Sequence, residues 1–215
     1  LTLYSKIDSN RIPYNFNTLS VNDYFDDCAS DLKIDIEARG VKFDYLNYVN
    51  DGVRIIADAE QLKRVINNIV SNALKYMNKS QKQIHLRVKD VGDFIQVEIE
   101  DNGKGIAQDD LEIAFERHAT SKIRSADDLD TVTSMGFRGE ALASIAAIAN
   151  VEMVSKTEEQ ELGYKVVVEA GDVLEKEETG CRTGTTITVR NLFFNTPVRY
   201  KFLKKDYTES GYIED

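Results

Sequence analysis

The chain has 215 residues, with 37 acidic against 27 basic side chains and a formal charge of −10 at pH 7. That balance excludes broad, non-specific capture of DNA, because phosphate affinity comes from clustered lysine and arginine; no run approaches the length of a membrane helix, and the N-terminus lacks the basic and apolar pattern of a signal peptide. The expectation is a cytoplasmic protein without membrane contact and with weak DNA binding or none, whose two distant cysteines, Cys28 and Cys181, are reduced and incidental.

Residues 1 to about 12 read as the tail of a helix that Pro13 ends. Val21, Tyr24, Phe25, Cys28, Leu32 and Ile36 recur at helical spacing, and Gly40 suits the exit, which predicts an amphipathic helix over 21–40. Val41, Phe43 and Tyr45 alternate with polar residues, and Val53, Ile55 and Ile56 follow Asp51-Gly52, which predicts a hairpin. Asp58 with Gln61 three residues on has the form of a capping box and opens a helix from Ala59 to about Met77, its apolar stripe built from Leu62, Ile66, Ile69, Ala73 and Met77. Asn68, Asn72 and Lys75 then share another face of that helix. Asparagine is a mediocre helix former, so the pair is either an ordinary wet surface or a site.

Ile84, Leu86 and Val88, then Ile95, Val97 and Ile99, alternate around Val91-Gly92-Asp93 and form a second hairpin. It delivers the chain into Asp101-Asn102-Gly103-Lys104-Gly105-Ile106. Two glycines and an acid after a strand usually make only a turn, yet such a loop also lets backbone approach a flat ligand while a carboxylate accepts a hydrogen bond from it. A short helix from Gln108 to about His118 is followed by a polar stretch to Thr133, and Gly136-Phe137-Arg138-Gly139 feeds a helix over Glu140–Ala149. A glycine loop at a helix N-terminus favours an anion through free N–H groups and the helix dipole. Strands are predicted at Val151–Lys156, Tyr164–Ala170 and Thr185–Arg190. The order implies a single α+β domain, a two-layer sandwich with helices on one face of a mixed, mostly antiparallel sheet. The basic cluster Arg199, Lys201, Lys204 and Lys205 reads as a solvated helix face unless it meets nucleic acid.

With these residues laid out, the chain resembles the GHKL superfamily, the Bergerat ATP-binding fold of gyrase, Hsp90, sensor histidine kinases and MutL mismatch-repair proteins. Residues about 1–100 resemble a histidine kinase catalytic domain, through Asn68-Ile-Val-Ser-Asn72-Ala-Leu-Lys75-Tyr76. Residues about 101–215 resemble MutL, through Asp101–Ile106, Arg117-His-Ala-Thr-Ser-Lys122, Gly136-Phe-Arg-Gly-Glu-Ala-Leu142, Gly184-Thr185-Thr186 and Asn195-Thr-Pro-Val-Arg199. The pairing suggests a fusion of two family members.

The resemblance implies an ATP site and Mg²⁺. Asp101 would accept from the exocyclic amine of adenine, with Thr185 behind the base; Gly103, Gly105 and Ile106 would line it. Asn72, joined by Asn68, would hold Mg²⁺; Lys75 would meet phosphate and Tyr76 the base or sugar. Thr120, Ser121 and Lys122 would belong to a lid, and Gly136, Phe137, Arg138 and Gly139 would bind the β and γ phosphates. Asn68 stands where MutL has the glutamate that acts as general base, and an amide cannot take that proton at neutral pH. Neither His85 nor His118 is followed by the acid that accompanies a phospho-acceptor histidine, and the dimerising histidine helices and the second MutL domain are missing. No catalytic residue is assigned, and the expectation is ATP–Mg²⁺ binding with slow or no hydrolysis. The alternatives are a weak ATPase, a module phosphorylating a histidine in trans on a dimerisation domain, and a mismatch-repair switch that self-associates when nucleotide orders its lid.

Overall fold

The computed structural model describes residues 14–115, 142 and 145–192. Strand β1, Asn17–Ser20, leads into helix α1, Val21–Glu37, whose Ser20 side chain accepts from the Asp23 N–H. Val21, Phe25, Cys28, Ala29, Leu32 and Ile36 are buried, so the predicted stripe is the packed one. The helix unwinds at Gly40, φ 71°: Gly40 N–H donates to the Glu37 carbonyl and Val41 N–H to that of Ile36, the crossed pair of a Schellman exit.

Strand β2, Lys42–Asn47, and strand β3, Arg54–Ala57, do not form the predicted hairpin. Instead β3 pairs antiparallel with β1 in a small separate sheet, and β2 lies parallel to strand β4, Gln83–Asp90. Asp51-Gly52 does turn the chain, with Gly52 at φ 79°, but the Asp51 carboxylate is held by Asn22 Nδ2 at the start of α1. A parallel partner needs a crossover. Helix α2, Ala59–Lys75, supplies it and ends two residues before the predicted Met77.

Strand β5, Ile95–Asp101, forms the expected hairpin with β4. Helix α3 is Gln108–Ile113, shorter than predicted within the described residues. Strands β6, Asn150–Lys156, β7, Gly163–Glu169, and β9, Gly184–Arg190, match expectation, and β8, Asp172–Thr179, is an addition. The main sheet runs β2-β4-β5-β9-β6-β7-β8, antiparallel at every pairing except the first.

Alternation splits this sheet into two faces. One carries Ile84, Leu86 and Val88, Val97 and Ile99, Ile187 and Val189, Val151 and Met153, Val166 and Val168, all buried in one core with α1 and α2. The other carries ion pairs, with Arg87 held by Glu98 and Glu100, each at 2.6 Å, and Arg190 Nη1 3.4 Å from Glu152 Oε2, while Arg190 Nε donates to Gln96 Oε1 at 2.6 Å. The fold is therefore the α+β layered arrangement read from the sequence. The predicted N-terminal helix, the cluster Arg199–Lys205, His118 and residues 140, 141, 143 and 144 of the predicted helix over 140–149 lie outside the described residues.

Candidate functional site

Helix α2 is fixed first at its N-terminus. Asp58 is 5% exposed, and its Oδ1 accepts from the Glu60 and Gln61 N–H groups, both at 3.1 Å, while Oδ2 accepts from Asn15 N–H at 2.8 Å. Leu62, Val65, Ile66, Ile69, Val70 and Ala73 are buried. That rotation leaves Asn68 half-buried and Asn72 and Lys75 exposed, so the asparagines and the lysine are kept off the core.

The C-terminal end of α2 meets the loop after β5. The Tyr76 carbonyl accepts from Lys104 N–H at 3.2 Å, and the Tyr76 ring lies 5.6 Å from Lys75 Nζ and 5.0 Å from Lys104 Nζ, within cation–π reach. A Cβ on Gly103 would sit 2.8 Å from Asp101 Oδ1 and 3.0 Å from the Tyr76 carbonyl oxygen, so only glycine allows this approach. Gly105 is at φ 75°, and a Cβ there would overlap the Lys156 carbonyl oxygen at the end of β6.

Asp101 closes β5 opposite Thr185 of β9. Its Oδ1 accepts from Gly103 N–H at 2.8 Å. Burial pushes its carboxyl up to about 6, against the pull of hydrogen bonds from the Gly103 and Thr185 backbone N–H groups and with a small upward push from the Glu100 charge. This half-buried acid stands above the apolar row of Ile99 and Ile187 with acceptor capacity to spare, a state that favours a donor arriving from a ligand.

Two further residues shape the loop without having been singled out in the sequence. Asn102 straps it to β4: its Oδ1 accepts from Gln83 N–H and its Nδ2 donates to the Gln81 carbonyl, both at 2.8 Å. Ser155 of β6, fully buried, accepts from Ile106 N–H at 2.8 Å. The signal for Ser155 was its register: Val151, Met153 and Ser155 alternate onto the core face, and a polar residue ending such a row needs partners.

The structure thus brings Lys75, Tyr76, Asp101, Gly103, Gly105, Ile106 and Thr185 together, with Asn68 and Asn72 on the helix that arrives there. Thr120, Ser121, Lys122, Gly136, Phe137, Arg138 and Gly139 lie outside the described residues. Among the described residues no group of three or more His, Cys, Asp or Glu could hold a metal. A cation at this site would depend on amide oxygens and on ligand oxygens. An apolar hollow of about 60 Å³ at the other end of β5, lined by Phe94, Ile95 and Leu192 among others, is part of the core and offers little to a charged ligand.

Residues 57–193 match the family described as histidine kinase-, DNA gyrase B- and HSP90-like ATPase. The chain belongs to this family. Among curated relatives, the DNA mismatch repair protein MutL of Caldanaerobacter subterraneus subsp. tengcongensis is 42% identical over 166 residues, covering 76% of this chain and 28% of that protein. MutL of Agathobacter rectalis is 45% identical over 163 residues, covering 74% of this chain and 24% of that protein. The chain spans about a quarter of the length of these relatives. The match is longer than residues 101–215 can supply, so it also takes in residues ahead of Asp101. Among solved structures, the nucleotide-free catalytic domain of the histidine kinase ThkA superposes with a TM-score of 0.54 at 18% identity, over 83% of this chain and 96% of that one. That likeness speaks for the fold, which the ATPase family shares with histidine kinases. No helix among the described residues is long and apolar enough to cross a membrane.

Proposed function

We propose that the chain is an ATP–Mg²⁺-binding module with slow or no hydrolysis, formed as a fusion of histidine-kinase-like and MutL-like sequence within one domain. The observation that carries the binding reading is the half-buried Asp101 carboxylate, set in a glycine cradle against the end of α2. Asp101 would accept from the adenine amine, with Thr185 beside it; Gly103, Gly105 and Ile106 would lie along the base and ribose, and Lys75 and Tyr76 would stand at the exit toward the phosphates. Asn72 and Asn68 would offer amide oxygens to Mg²⁺, a hard cation suited to oxygen ligands. Thr120, Ser121, Lys122 and Gly136–Gly139 would complete the lid and the phosphate contacts. The bound nucleotide would supply a transferable phosphoryl group.

What limits the use of that group is Asn68. No carboxylate stands one turn before Asn72, so no side chain on this helix face can take a proton from an attacking water, and loss of a positioned base removes roughly a hundred- to ten-thousand-fold in rate. His85 does not replace it: it lies on β4, with Nδ1 3.4 Å from Asp44 Oδ2. The fusion reading rests on the change of motif style along the chain, kinase-like at Asn68–Tyr76 and MutL-like from Asp101 onward. We place the protein in the cytoplasm, with nucleotide as its ligand. Its partner would be a histidine-bearing dimerisation domain or a second copy of the chain, as in repair switches.

Titration with a fluorescent ATP analogue, with and without Mg²⁺, tests the binding reading. Asp101→Asn should weaken binding at least tenfold, and Asn72→Ala should remove the Mg²⁺ dependence while leaving the circular dichroism spectrum unchanged. Phosphate release well above background and abolished by Asp101→Asn would overturn the binding-only assignment.

A further inference from the structure

Ser155, Thr185 and Asp101 form one row across three strands. Ser155 faces Thr185 in the β6–β9 register and Thr185 faces Asp101 in the β5–β9 register. The row directly beneath is Met153, Ile187 and Ile99, all buried. The polar row therefore ends the hydrophobic core where the proposed adenine pocket begins.

The hydroxyl of Ser155 is 0% exposed and has three neighbours: Ile106 N–H at 2.8 Å, the Gly184 carbonyl at 2.9 Å and Thr185 Oγ1 at 2.9 Å. A serine hydroxyl has one proton to give and two lone pairs to accept with. Ile106 N–H can only donate and the Gly184 carbonyl can only accept, so Ser155 gives its proton to Gly184 and takes one from Ile106. The remaining contact is satisfied when Thr185 donates to Ser155. Thr185 then has no proton left for a ligand, and its oxygen stands beside the Asp101 carboxylate as a second pure acceptor.

We infer that Ser155 is a specificity-positioning residue: by holding the Thr185 proton it keeps the pocket floor acceptor-only, so that the site takes 6-amino purine nucleotides and refuses 6-oxo ones. This rests on the adenine reading of the pocket and adds a residue that touches no ligand itself. A 6-oxo group facing two acceptors leaves buried lone pairs unmet, which is costly. Releasing the Thr185 proton lets that hydroxyl turn and donate to the oxo group.

Competition of ATP and inosine triphosphate against a fluorescent ATP analogue measures the preference directly. The wild type should prefer ATP. Ser155→Ala should reduce the ATP-to-inosine-triphosphate ratio about tenfold, the equivalent of one neutral hydrogen bond exchanged. In a Thr185→Val background, where no hydroxyl remains to be oriented, the same substitution should leave the ratio unchanged. Ser155→Cys, which fills the site with a slightly larger and weaker donor, should fall between and serves if the alanine variant does not fold. A folded Ser155→Ala or Ser155→Cys protein with its ratio within twofold of wild type overturns the inference, as does an equal shift in the Thr185→Val background. A wild type that binds ATP without preference overturns it while sparing the ATP site. A wild type that binds neither nucleotide removes the adenine reading itself.

Discussion

Asp101 is ionised at neutral pH at a cost, because the folded protein holds its carboxyl near 6 whereas an unfolded aspartate titrates near about 3.9. The folded state therefore binds that proton more tightly than the unfolded one. The penalty is fully present above pH 6, is relieved as pH falls through 6, and is gone near 4. A difference of about two pKa units corresponds to about 3 kcal/mol. The free energy of unfolding without nucleotide, measured in denaturant from pH 8 to pH 4, should therefore rise on acidification for the wild type relative to Asp101→Asn by up to that amount. A difference that stays flat with pH would show that the carboxylate is well hydrated in the folded chain. Nucleotide affinity should move the opposite way, falling below pH 6 as the acceptor is protonated. At this scale the sequence showed the acid and its glycines, because a motif marks them. Ser155 and Asn102 were hidden because their work is done through partners 49 and 19 residues away.

Helix α2 shows how a single cap can organise an element. Asp58 satisfies two of the orphan N–H groups at the start of the helix with one oxygen and ties in the chain ahead of β1 with the other. Asp58→Ala should cost about 2–3 kcal/mol in denaturant unfolding, because buried donors are left unpaired in addition to the lost cap. Asp58→Asn, which keeps one accepting oxygen, should recover about half. Equal stability of the alanine variant and the wild type would mean that water replaces the carboxylate. The helix was legible because its period, its cap and its length agree. The hairpin expected from Val41 to Ile56 was not, because the turn at Asp51-Gly52 is a local signal while the partner of β2 arrives only after α2. Strand β8 escaped for a different reason: nearly every side chain along it is exposed, so no alternation marks it. Its Glu175 and Glu177 bind Lys165 at 3.0 and 2.6 Å, and a charged, bulged edge of this kind resists further strand pairing.

Across the whole molecule, the candidate site is assembled from α2, the loop after β5, β6 and β9, pieces separated by more than a hundred residues that meet only in the folded chain. The order of these pieces made the layered fold readable before the strand order was known; the strand order itself depends on pairings that no local pattern encodes. A ligand held by all of them binds the native state and not the unfolded one. Mass action then gives about 2.7 kcal/mol of added stability at a nucleotide concentration a hundred times the dissociation constant, or about 5–10 °C in melting temperature for a domain of this size. Thermal melts with ATP and Mg²⁺ should show that rise, with ATP and a chelator a smaller one, and Asp101→Asn almost none. Because the unfolded chain brings no two of these elements together, a shift retained by Asp101→Asn would mean that the nucleotide is held elsewhere, and a shift equal with and without Mg²⁺ would remove Asn72 and Asn68 from the cation's ligands.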